Sequence, residues 1–271
     1  MSYKVWESIN TIDEYVDGDP KKPGEQHMNI LNTYCPDGNC SSDELKIIAG
    51  FIMLLNMLGD DKTDGEKLVE YAILWLSYKL NQKKENEMTI LNDFYTDNIK
   101  TNSCYKEHIT DSGENINKDV IEKKMKSMNM NIKDISNFYD PFKSLCNMYS
   151  ELDPEKNTEC KKCLENAGEF FEKYEKLKNT FDITKGVSYS QLWSNLSIDY
   201  MIFENAYNSF RCNNVSSVVA CPRSSVTKNT LITIAIIFVA ASILLGVSYK
   251  YSLFGFRKRS QKQHLREMLK K

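Results

Sequence analysis

The sequence predicts an all-α protein: a multi-helix extracellular domain, a single C-terminal transmembrane helix and a short basic tail. Three observations carry this prediction. Apolar residues recur every three or four positions along most of the chain, and no stretch alternates convincingly with period two. Capping-type patterns stand before the strongest apolar runs. Near the C-terminus, 21 residues between Lys228 and Lys250 carry no charge. Only 11 glycines and 6 prolines punctuate 271 residues, which argues against wholesale disorder and for a real core.

Val5, Ile9, Ile12 and Val16 step by four and three and mark a first helix. "SSDE" (Ser41 to Glu44) is a capping-box pattern ahead of "IIAGFIMLLNML", a helix over 43–58. At 12 residues with Asn56 inside, that run suits a buried core helix and is too short to span a bilayer. "TDGE" (Thr63 to Glu66) repeats the pattern before Lys67 to Asn81, where Leu68, Tyr71, Ala72, Trp75, Tyr78 and Leu80 form a broad apolar face. Ile90, Leu91, Phe94 and Tyr95 predict a short helix. Ile135 to Leu152 has the clearest helical period, with Pro141 inside it as an expected kink or interruption. After the turn "ELDPEKNTE", Cys163 to Leu177 predicts a return helix, and "SYSQ" (Ser188 to Gln191) caps another with Leu192, Leu196, Phe203, Ala206 and Phe210 inward. The segments 111–119 and 179–187 read as loops. The domain organisation is therefore a helical ectodomain over 1–211, a Ser-containing stalk over 212–228, a membrane span over 229–249 and a basic tail over 250–271.

Twenty-one helical residues span about 30 Å, the thickness of a hydrocarbon core. Tyr249, Tyr251, Phe254 and Phe256 follow as interfacial aromatics. Two basic residues lie in Asn214–Lys228 and six in Lys250–Arg266: Lys250, Arg257, Lys258, Arg259, Lys262 and Arg266. The charge asymmetry places the tail in the cytoplasm and the large N-terminal part outside. These six tail residues are the expected lipid-contacting set, as a stop-transfer anchor or as a patch on anionic lipid. The start, "MSYKVWESINTIDEYVDGD", does not read as a signal peptide. A tail-anchored arrangement with inverted topology is the alternative, and the charges oppose it. The part before residue 250 holds 27 basic and 36 acidic residues, an acidic balance unsuited to nucleic acid.

All eight cysteines, Cys35, Cys40, Cys104, Cys146, Cys160, Cys163, Cys212 and Cys221, precede the span and are candidate disulfide partners in an oxidising space. "CPDGNC" is a turn that brings Cys35 and Cys40 together. Cys146, on the face of a preceding helix, is a possible partner for Cys160 or Cys163. "CKKC" (Cys160, Cys163) has neither the strand-to-helix context of a redox motif nor a second matched pair for zinc. No nucleotide-binding, hydrolase or metalloprotease motif occurs, so no catalytic residue, cofactor or metal is expected. Of three sequons, at Asn39, Asn195 and Asn214, only Asn214 is expected to be reachable.

The segments "YCPDGNC", "LWLSYKLNQ", "LNDFYT", "MNMNIKDISNFYDPFKSLCNMYSEL", "YSQLWSNLS" and "YKYSLFGFRKRSQKQHLREMLKK" together resemble the Plasmodium interspersed repeat (PIR) variant antigens of the rodent-malaria branch. The resemblance runs from end to end, with Pro141 and Trp193 as departures. It implies a helical ectodomain, one membrane span and a basic cytoplasmic tail in an infected-erythrocyte or parasite-associated membrane. It further implies antigenic variation, immune evasion and contact with host-cell receptors or antibodies, without enzymatic activity. The alternative is a structural or trafficking protein of a parasite-derived compartment that acts through its basic tail.

Overall fold

The computed structural model describes residues 2–17, 25–82, 89–109, 115–152, 163–209 and 218–221. Among them are eleven α-helices and no β-strand: α1 (Tyr3–Asp17), α2 (Glu25–Asn32), α3 (Asp43–Gly59), α4 (Gly65–Asn81), α5 (Leu91–Phe94), α6 (Ser103–His108), α7 (Lys118–Ser127), α8 (Ile132–Ser136), α9 (Tyr139–Tyr149), α10 (Ala167–Asn179) and α11 (Val187–Ser209).

Helix α4 is the hub. It packs against α3, α7, α8 and α9, and every residue from Leu68 to Ser77 is buried. Such all-round burial suits the composition of that stretch, where only Glu70 and Ser77 interrupt the apolar and aromatic side chains: Glu70 pairs with Lys67 and Lys124, and the Ser77 hydroxyl is buried without a hydrogen-bond partner among the described residues. Around it, α1 packs on α3 and α9, and α10 packs on α9. The approach of α1, α3 and α4 is close because Gly50 has no side chain. A Cβ there would meet Val16 Cγ2 at 2.6 Å and Trp75 Cη2 at 2.7 Å.

Caps start these helices locally. Ser42 accepts the Leu45 N–H at 3.1 Å, and Asp64 accepts the Lys67 N–H at 3.2 Å. Both stand one residue later than the capping boxes at Ser41 and Thr63 place them. Asn102, Asn117 and Asn131 cap α6, α7 and α8 through their side-chain oxygens. Helix α7 begins at Lys118, inside the segment expected to be a loop up to residue 119.

The long period from Ile135 to Leu152 divides into α8, α9 and a 3-10 turn at Ser150–Leu152. The break falls at Asn137–Phe138, ahead of Pro141. Pro141 is the third residue of α9, where its missing N–H falls among the four that a helix start leaves unbonded anyway, so it begins a helix instead of kinking one. The return helix starts at Ala167, four residues later than expected. Cys163 and Leu164 instead form a parallel bridge with residues 219–221: Leu164 N–H donates to Val219 O at 2.8 Å, and Cys221 N–H to Leu164 O at 2.9 Å. Val218 and Ala220 are buried there. Residues 218–221, read from the sequence as part of a stalk, are thus joined to the globule. Helix α11 starts at Val187 after Gly186, whose φ of +104° closes the preceding turn, so "SYSQ" lies within the helix.

The uncharged run at 229–249 lies outside the described residues. Among the described residues no helix is long and apolar enough to cross a membrane.

Candidate functional site

The expected turn at "CPDGNC" forms with Asp37 and Gly38 both at positive φ (56° and 65°), which folds the chain back until the Cα atoms of Cys35 and Cys40 stand 5.3 Å apart in a disulfide. The second bridge joins Cys163 to Cys221, 58 residues apart, beside the Leu164–Ala220 bridge that brings them together. Cys163 is therefore paired neither with Cys146 nor with its neighbour in "CKKC". Cys104 and Cys146, candidates for disulfides, are buried thiols. Each sits among core side chains as a small apolar group, and burial pushes both thiols above their ordinary pKa. Cys160 and Cys212 lie outside the described residues, as do Lys250, Arg257, Lys258, Arg259, Lys262, Arg266 and Asn214.

Two charge clusters link the helices, the first half-buried and the second centred on buried Glu70 and Asp199. In the first, Asp13 of α1 accepts Trp75 Nε1–H at 2.8 Å and contacts Lys79 at 2.9 Å, both on α4, and Lys143 of α9 at 2.8 Å. Burial pushes the Asp13 carboxyl up, but Lys143 and Lys79 outweigh it and hold it below the ordinary carboxylate value. In the second, Lys67 bridges Glu70 and Asp199 at 3.0 Å each, Lys124 of α7 meets Glu70 at 2.6 Å, and Tyr71 donates to Asp199 at 2.8 Å. Here burial prevails over Lys67, and the Asp199 carboxyl is raised.

A raised carboxyl beside a second acid is the signature of an acid–base pair. Glu70 and Asp199 are each only 2% exposed, and their oxygens are occupied by lysine, tyrosine and asparagine partners, so a substrate has no path to them. The arrangement ties α4, α7 and α11 together. Asn195 donates to Glu70 and accepts from Gln191, which commits its amide to the fold and leaves it a poor acceptor for glycan. Among the described residues no three His, Cys, Asp or Glu side chains converge as metal ligands do.

What the globule offers a partner is therefore its surface. Several charges on the described surface are paired: Lys123 with Glu66, Lys185 with Asp134, Lys100 with Glu122. One part is different. Ile198, Met201 and Ile202 of α11 are exposed. The sequence places Leu192, Leu196, Phe203, Ala206 and Phe210 inward and leaves these three unassigned; Leu192, Leu196 and Phe203 are buried, Ala206 is half-buried, and Phe210 lies outside the described residues. The available signal was that the three exposed residues fall off the inward face while remaining large and apolar.

A family model for Plasmodium variant antigen protein Cir/Yir/Bir matches residues 6–250. A solved structure of a Plasmodium PIR protein ectodomain is similar at 33% sequence identity and a TM-score of 0.61, with 82% of this chain and 99% of that chain covered. No curated protein matches the sequence.

Proposed function

This chain belongs to the Plasmodium Cir/Yir/Bir (PIR) family of variant antigens, and from that premise we propose that it is a surface antigen of an infected red cell that takes part in antigenic variation and immune evasion. Its ectodomain presents helix faces and loops to host receptors or antibodies, and a single span at 229–249 anchors it with the basic tail in the cytoplasm. The observation that carries this reading is the match over residues 6–250 together with the ectodomain fold. The architecture supports it. The apolar residues and the Glu70–Asp199 cluster that hold the helices together are internal, so exposed residues can vary without loss of the fold. The function needs no reaction, and the family is one of antigens.

Protease protection on intact infected cells tests it, with antibodies against each end of the chain. The ectodomain epitope is expected to be lost on external digestion while the tail epitope persists. A protected ectodomain would overturn the surface reading.

The density of basic residues after Lys250 favours a second reading, in which the tail directs trafficking by contact with anionic lipid or a cytoskeletal partner. Reversal of charge at Arg257, Lys258 and Arg259 separates the two. Trafficking predicts mislocalisation of the variant, and recognition alone predicts normal delivery.

A further inference from the structure

The outward face of α11 lacks charge along its whole length. A helix of 23 residues in a chain that is 27% charged is expected to hold about six charged residues. This one has Asp199 and Glu204 only, and neither lies outward. Asp199 is enclosed by Tyr71 and Lys67. Burial raises the half-buried Glu204 carboxyl, which accepts the Val218 N–H. Water meets Val187, Gln191, Ser194, Ile198, Met201, Ile202 and Asn205, whose spacing places them on one stripe, and Asn208 at its edge. At its centre Ile198, Met201 and Ile202 are 47%, 56% and 44% exposed. These three large apolar side chains, side by side on a face without charge, give α11 an apolar centre open to a partner.

We propose that this stripe is a self-association surface, on which α11 of a second copy of the chain packs antiparallel about a twofold axis. The occupant follows from charge and from order. A neutral stripe meets its own copy with no charge desolvated or left unmatched, whereas a charged partner face would lose its hydration to a surface that holds no counter-charge. The middle of the stripe also reads nearly alike in both directions: small polar Ser194, then Ile198, Met201 and Ile202, then small polar Asn205, while Val187 and Gln191 extend it toward the start of α11. A twofold axis at its centre sets Ile198 of each copy against Ile202 of the other and Ser194 against Asn205, the self-complementarity an isologous contact requires. One helix pair about 34 Å long buries less than the ~1,200 Å² of a standard stable interface. The dimer is accordingly weak in dilute solution and favoured where copies are concentrated on one surface. This surface is independent of the antigen reading, since it requires only a second copy.

The test uses the full chain, purified in non-ionic detergent, with the photoreactive residue p-benzoylphenylalanine in place of Met201. Irradiation is expected to yield a two-chain product whose cross-linked peptide comes from α11 of the second copy. A cross-link back to the same chain, or the absence of a two-chain product, would overturn the proposal. In the photoprobe background, Ile198→Lys and Ile202→Glu are each expected to lower the two-chain yield about tenfold, because each places two unpaired charges in the contact. An equal mixture of the two variants is expected to restore it, since the mixed pair sets one lysine against one glutamate. Misfolding cannot produce that recovery, and a mixture no better than its components refutes the antiparallel pairing.

Discussion

Asp13 shows how one side chain organises three helices. Its carboxylate is shared by Trp75, Lys79 and Lys143, so its removal leaves Lys79, itself buried, with Asp17 alone. Asp13→Asn is expected to destabilise the fold by about 3 kcal/mol, measured by urea unfolding at neutral pH. The pH dependence has a defined sign. The folded-state value lies below the reference of 3.8, so the contribution of Asp13 is complete above that value and is lost as pH falls through the lower folded one. Asp199 acts oppositely: its raised carboxyl contributes stability below 3.8 that is lost as pH rises through the folded value. Unfolding midpoints between about pH 2 and 5 should therefore fall less steeply with acid in Asp13→Asn, and more steeply in Asp199→Asn. The two thiols offer a second check at this scale. Burial keeps Cys104 and Cys146 protonated and shielded, so iodoacetamide is expected to label neither in the native protein and both once urea unfolds it. Labelling of either in the native state would contradict the packing described.

Among the elements, α3 and α4 were the most legible. Their apolar runs are long, their caps are local, and a helix buried on all sides needs no particular face to be identified. The contact between them was not legible, because a glycine in an apolar run gives no sign of what approaches it. Gly50→Ala gains up to about 1 kcal/mol of helix propensity but drives a methyl into Val16 and the rigid, fully buried Trp75 ring. Overpacking is expected to prevail, with a net loss of about 1–3 kcal/mol in urea unfolding. An unchanged midpoint would mean that α1 can move away freely. The split of α8 from α9 was half legible. Pro141 announced an interruption, yet its position three residues into α9 follows from where a helix can best lack an N–H. Short, polar α2, α6 and α7 escaped the periodicity reading altogether; α6 and α7 bury only two side chains each, too few to leave a pattern.

At the scale of the whole molecule, the disulfides among the described residues divide by range. Cys35–Cys40 closes a turn that its own residues already favour, and the sequence is sufficient to find it. Cys163–Cys221 spans 58 residues and joins the segment ahead of α10 to the segment beyond α11. Chain-entropy arguments predict that paired Cys→Ala replacement costs about 4 kcal/mol for the long bridge and about 2 kcal/mol for the short one. Unfolding of the two double variants under non-reducing conditions measures that order, and a larger cost for the short bridge would refute it.

Helical periodicity, the caps, the CPDGNC turn and the uncharged run between Lys228 and Lys250 are properties of neighbouring residues, so the sequence by itself determined them. The pairing of Cys163 with Cys221, the burial of Glu70 and Asp199, and the side of α11 left facing water were decided only by the tertiary structure. The reason is common to all three. Each depends on which distant surface arrives, and a helix apolar on more than one side, such as α11, does not specify which side its neighbours will cover.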